Sequence, residues 1–205
     1  MIGNDIVDLT QARKESNWHR KGFLQKLFTA HEQYLINTAD DPERMVWLFW
    51  SMKESAYKAN FRQTRLRRFA PQKISGQLTA ITETEATGSV FYGLTYQTKT
   101  IFTSNYLATL AFPVAEPSTY QQVVIPLEHT DHLYQSSQVR QKLLQYYSKN
   151  LSVPLSSLHL SQQEDGIPDL TIEQPSSQSL VIPVSMSHHG SYGAFALGWL
   201  THQCS

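Results

Sequence analysis

Pro42-Glu43-Arg44-Met45-Val46-Trp47-Leu48-Phe49-Trp50-Ser51-Met52-Lys53-Glu54-Ser55-Ala56-Tyr57-Lys58 is the stretch that decides the fold. Asp41 stands ready to cap it, and Pro42 suits a first helical position. No Gly or Pro follows until Pro71. Val46, Trp47, Leu48, Phe49, Trp50 and Met52 put apolar groups on nearly every side, so the spacing predicts a buried helix over 42–61. Glu54 and Lys58 are four apart and share one of its faces. They read either as a surface ion pair or, since acids and lysines are seldom buried alone, as ligands for a cation and a phosphate.

Upstream, Thr29-Ala30-His31-Glu32 reads as a capping box opening a short helix to about residue 38. Downstream, residues 73–126 are rich in Val, Ile, Phe, Tyr and Thr and broken by Gly and Pro, as in antiparallel strands. A second helix is expected over 137–150, capped by Ser136 or Ser137, with Val139, Leu143, Tyr146 and Tyr147 at helical spacing. Strands follow near 156–161, 179–186 and 192–200. A Pro-bearing joint is expected near 113–126, and Pro175–Ser179 reads as a loop. The order helix then sheet, given twice, predicts an α+β fold of two similar halves, 1–115 and 116–205.

The 205 residues carry 17 Lys+Arg and 17 Asp+Glu, so no global field draws the chain to nucleic acid or membrane. No apolar run approaches the roughly 20 residues that span a bilayer. The single cysteine, Cys204, cannot form an internal disulfide. The acidic N-terminus is unlike a signal peptide. A soluble, cytoplasmic protein is expected.

Four further patterns bear on chemistry. Gly3-x-Asp5-Ile6-Val7-Asp8 reads as a strand carrying two acids, either solvated or available to a metal. Ser185-Met186-Ser187-His188-His189-Gly190 reads as a polar turn that could hold a phosphate or nucleotide. Gly166-Ile167-Pro168 is a turn signal. Arg62, Arg65, Arg67, Arg68 and Lys73 form a basic run, either a solvated face or a patch for an acidic partner. His129-x-x-His132 lacks a third ligand, and Gly190-Ser191-Tyr192-Gly193 lacks the strand–helix context of a phosphate loop.

Together, Gly3-Asn4-Asp5-Ile6-Val7-Asp8, Trp50-Ser51-Met52-Lys53-Glu54-Ser55-Ala56-Tyr57-Lys58, Gly166-Ile167-Pro168 and Ser185-Met186-Ser187-His188 resemble the motifs of the 4′-phosphopantetheinyl transferase superfamily. Leu27-Phe28-Thr29-x-x-Glu32 resembles another of its segments. The resemblance implies two halves related by a pseudo-twofold, in the reverse of the order found in the longer, surfactin-synthetase-activating type. It implies Mg²⁺-dependent transfer of 4′-phosphopantetheine from coenzyme A to a serine of an acyl or peptidyl carrier protein, by a cytoplasmic monomer. Carried over residue by residue, Asp5 and Glu54 would hold Mg²⁺, and Glu54 would serve as base. Lys58 would touch the coenzyme A phosphates. Ser187, His188, Pro168 and Arg140 would bind its nucleotide end. Glu32 matches a family acid, yet its capping role explains it equally. Val7 stands where the longer type has a third acid, and Ile167 where the family has lysine. These departures leave open a non-catalytic homologue that binds coenzyme A or a carrier protein.

Overall fold

Strand β1 (Gly3–Asp8) is the element around which the protein is built. The computed structural model describes residues 1–114, 120–162, 166–173 and 179–198. The expected division at 115/116, most of the Pro175–Ser179 loop, and Cys204 lie outside these residues. After β1 come α1 (Leu9–Glu15), α2 (Phe23–Leu27), α3 (Ala30–Thr38) and α4 (Pro42–Thr64). The strands β2 (Ser75–Ile81), β3 (Glu85–Tyr92), β4 (Leu94–Phe102) and β5 (Tyr106–Pro113) then complete an antiparallel sheet in the order β1-β5-β4-β3-β2.

The second sheet repeats that plan. It contains β6 (Tyr120–Pro126), then helix α5 (His132–Leu151), then β7 (Leu158–Gln162), β8 (Pro168–Ile172), β9 (Leu180–His189) and β10 (Tyr192–Gly198). Its order is β6-β10-β9-β8-β7, the first order shifted by five. The fold is therefore α+β in two similar halves, as expected, but each half opens with a strand rather than a helix.

Several boundaries differ from the sequence reading. Tyr120–Pro126, expected in a joint, is a strand because Val123, Val124 and Ile125 find partners on β10. Helix α5 begins at His132, where the exposed Asp131 side chain accepts from the Tyr134 amide, five residues before the expected serine caps. Pro168 opens a strand rather than lying in a turn, a position where its missing N–H is tolerated. Ser185–His188 is strand, and the turn falls at Gly190-Ser191. Helices α1 and α2 were not anticipated. The long helix and its Asp41–Pro42 start are as read.

Each sheet has two faces with different tasks. One face carries its own helix: α4 on β1 and β5, α5 on β9 and β10. The other faces meet through small residues, with Ile6, Ala108 and Ala194 in one cluster and Ile2, Leu110 and Ala196 in another. Strand alternation sorts the N-terminal motif accordingly. Gly3, Asp5 and Val7 point to α4. Asn4, Ile6 and Asp8 point to the second half. The Asn4 amide N–H donates to Ser185 Oγ at 3.0 Å and its side chain donates to Ser187 Oγ at 2.9 Å. Asp8 caps α1 and also accepts from the Ser191 amide at 2.8 Å. Asp8 is thus a clasp between halves, buried to 4% exposure, and neither a solvated acid nor part of the cleft.

Gly3 is required by close packing. A Cβ there would overlap the Ser55 carbonyl oxygen and stand 2.6 Å from the Ala59 amide nitrogen, both backbone atoms of α4. Backbone cannot swing aside as a side chain can, so Gly3→Ala should lower stability by about 1–3 kcal/mol. Urea denaturation would measure this; an unchanged midpoint would mean the helix rides higher on the strand than described.

Candidate active site

Helix α4 delivers three residues to the seam from one face. Lys58, Phe61 and Arg62 line a cleft of about 390 Å³, together with Asp5 of β1. Across it stand Ser136, Val139 and Arg140 of α5, Pro168 of β8, and Ser187 and His188 of β9. The structure therefore brings Asp5 and Lys58 from the first half and Arg140, Pro168, Ser187 and His188 from the second to one cavity.

Glu54 lies one helical turn before Lys58, partly buried and beside the cleft rather than among its lining residues. Burial pushes its carboxyl up to about 7, the nearby Asp5 carboxylate adds to this, and Lys58 opposes it. Lys58 Nζ donates to the Asn4 carbonyl at 2.8 Å and lies 3.4 Å from Asp5 Oδ1. Two carboxylates whose charges oppose each other, with oxygen donors only, form a set that fits a hard divalent cation. Among the described residues no third His, Cys, Asp or Glu joins them. Val7 is buried in the α4 core and offers no ligand.

Ser187 and His188 are neighbours in sequence but face opposite ways. Ser187 turns to the seam and accepts from Asn4, keeping its own hydroxyl proton. His188 turns to α5, where Nδ1 meets Gln135 Oε1 at 2.7 Å and the ring packs edge-on against His132. Burial, then its electrostatic coupling to His132, Lys58 and His189, holds the imidazole below its usual range.

A second cavity of about 280 Å³ meets the first at Asp5 and His188. It is lined mainly by apolar groups, among them Phe23, Leu27, Trp47 and Trp50.

Glu32 belongs elsewhere. It is fully buried, closes the capping box with Thr29, accepts from the Gly76 amide and pairs with Lys53 Nζ at 2.7 Å. Its capping reading is the one the structure supports. The basic run divides. Arg65, Arg67, Arg68 and Lys73 are exposed, but Arg62 is buried and donates to Asp169, Pro168 and Val184 in the other half. Arg62 was read only as part of the basic run and not as a cleft residue, and Phe61 and Gln135 were missed from sequence; 61 and 62 lie in α4, 135 in α5. Helical spacing from Glu54 and Lys58 could have found the first two, since 54, 58, 61 and 62 share a face.

The fold and cleft thus define a two-lobed α+β protein with a groove of about 390 Å³ between its lobes. A family model of the 4′-phosphopantetheinyl transferase superfamily matches residues 1–114, more than half of the chain, and the chain belongs to that superfamily. It is by class a phosphopantetheine transferase, of a family whose substrate is coenzyme A. No curated protein and no solved structure matches the chain significantly. Among the described residues no helix is long and apolar enough to cross a membrane.

Proposed function

We propose that the protein transfers the 4′-phosphopantetheine arm of coenzyme A to a serine of an acyl or peptidyl carrier protein, with Mg²⁺ held by Asp5 and Glu54. The observation that carries this reading is the cleft itself. Cations from one lobe (Lys58) and the other (Arg140) line it together with His188 and Asp5, and the Glu54 carboxyl feels the charges of both Asp5 and Lys58.

In this reading the nucleotide end lies against Pro168 and α5, with Arg140, His188 and the Ser187 hydroxyl on its phosphate groups. Lys58 meets the pyrophosphate. The arm runs past Asp5 into the second cavity, where tryptophans exclude water. The carrier serine Oγ attacks the β-phosphorus. An Oγ–P bond forms, the bond from phosphorus to the bridging oxygen breaks, and adenosine 3′,5′-bisphosphate leaves with that electron pair. The serine proton passes to the Glu54 carboxylate, directly or through one water. The cation, when bound, supplies charge neutralisation at the pyrophosphate oxygens. What the chain itself contributes is positioning and preorganised positive groups. We further propose that it acts as a cytoplasmic monomer, divided between lobes 1–115 and 116–205.

The experiment is direct. The protein is incubated with coenzyme A, Mg²⁺ and an apo carrier protein, and the carrier is weighed by mass spectrometry. Gain of one phosphopantetheine supports the proposal. Coenzyme A binding with no gain on any of several acyl and peptidyl carriers would replace it with the non-catalytic reading.

A further inference from the structure

The histidine of the cleft is held by a residue outside every motif. Gln135 lies in the first turn of α5 and is 4% exposed. Its side-chain NH₂ donates to the Gly190 carbonyl at 2.5 Å. A carbonyl can only accept, so this bond fixes which end of the amide is nitrogen. The other end, Oε1, therefore faces His188 Nδ1 and must accept from it. Nδ1 carries the ring proton. Nε2 is left with a lone pair and bonds no protein group among the described residues.

The surroundings of the ring are mixed. Lys58 faces it from α4, His132 from α5 and His189 from its own strand. Arg140 of α5 and Asp5 of β1 line the same cleft. A neutral amide at Nδ1 adds no charge, whereas a carboxylate there would hold the ring as imidazolium. An Nε2 lone pair repels a phosphate oxygen, so an anion seated against it must draw a proton there.

We propose that Gln135 is a positioning residue that fixes His188 as the Nδ1–H tautomer, so that seating an anionic ligand in the cleft draws one proton onto Nε2. The choice of coenzyme A as that ligand rests on the function proposed above; the tautomer does not. A purely structural Gln135 would anchor the β9–β10 turn through Gly190 and leave the ring's protons alone.

The test uses the full chain without divalent metal. Nitrogen-15 spectra of the ligand-free protein at pH 7.5 should show His188 Nδ1 protonated and Nε2 bare. Titration calorimetry with coenzyme A, in buffers of different ionisation heat, should show uptake of about one proton. In Gln135→Glu the carboxylate gives up the bond to the Gly190 carbonyl but still accepts from Nδ1, and it charges the ring in advance. Uptake at pH 7.5 should then fall toward zero, and binding should persist to a pH about one unit higher. Gln135→Leu should weaken coenzyme A binding about tenfold. Should the leucine variant fail to fold, the wild-type tautomer and the glutamate variant decide. The reverse tautomer, or proton uptake unchanged in Gln135→Glu, overturns the inference. The Nδ1–H tautomer in a protein that ignores coenzyme A supports the positioning role and overturns the proposed function instead.

Discussion

Glu54→Gln should make the protein more stable at pH 8 while removing its transferase activity. The sign follows from the raised carboxyl. Its folded value is about 7 against 4.5 for the free group, with burial as the main cause, then Asp5. Between these two values the folded state binds more protons than the unfolded state. Stability therefore falls as pH rises from about 4.5 to 7 and stays lowered above that. At about 1.4 kcal/mol per pH unit, the whole effect is on the order of 3 kcal/mol. Glutamine keeps the shape and removes the charge, so the variant should gain ~1–3 kcal/mol at pH 8 and nothing near pH 4. Urea midpoints at the two pH values measure this. Mg²⁺ at pH 8 should raise the melting temperature of the wild type but not of the variant, because the cation answers the same repulsion. Transfer should drop by about 10²–10⁴-fold, the range for a lost general base. A variant that is destabilised at pH 8, or that still transfers at the wild-type rate, would remove Glu54 from the site.

This opposition of stability and function explains which parts of the protein were legible in its sequence. Helix α4 was readable because its apolar residues surround the axis and its cap is local. Glu54 was readable because it interrupts that apolar pattern and shares a helix face with Lys58. The facing of residues that answer to the other half was not readable. Ser187 and His188 are adjacent in the chain, yet strand alternation sends one to Asn4 and the other to Gln135. Asp5 and Asp8 look equivalent in the N-terminal motif, but their odd and even positions place one by Lys58 and the other under the Ser191 amide. Face assignment in a two-sided strand depends on which neighbour lies where, and this is tertiary information. The same reason hid β6, whose identity as a strand comes from β10.

Arg62→Met should cost about 3–5 kcal/mol, the largest loss of stability expected from one substitution in the seam. Arg62 leaves the end of α4 and enters the second lobe, where Nη1 lies 2.5 Å from Asp169 Oδ1 and Nη2 donates to the carbonyls of Pro168 and Val184. Both side chains are nearly buried. Methionine preserves the aliphatic stem but takes the guanidinium away from the nearly buried Asp169 carboxylate and from two carbonyl oxygens. An uncompensated buried charge is the expensive outcome; the pair itself is worth far less than its Coulomb energy suggests. The double variant Arg62→Met, Asp169→Leu should therefore recover at least half of the loss, because it removes the buried carboxylate as well. Coenzyme A binding should weaken in both variants, since Arg62 also borders Pro168 at the cleft wall. Urea titration of the two variants separates the contributions. A single variant that loses less than about 1 kcal/mol would show that the α4–β8 bridge is solvated and that the lobes are held by the apolar sheet faces and the Asn4 and Asp8 contacts.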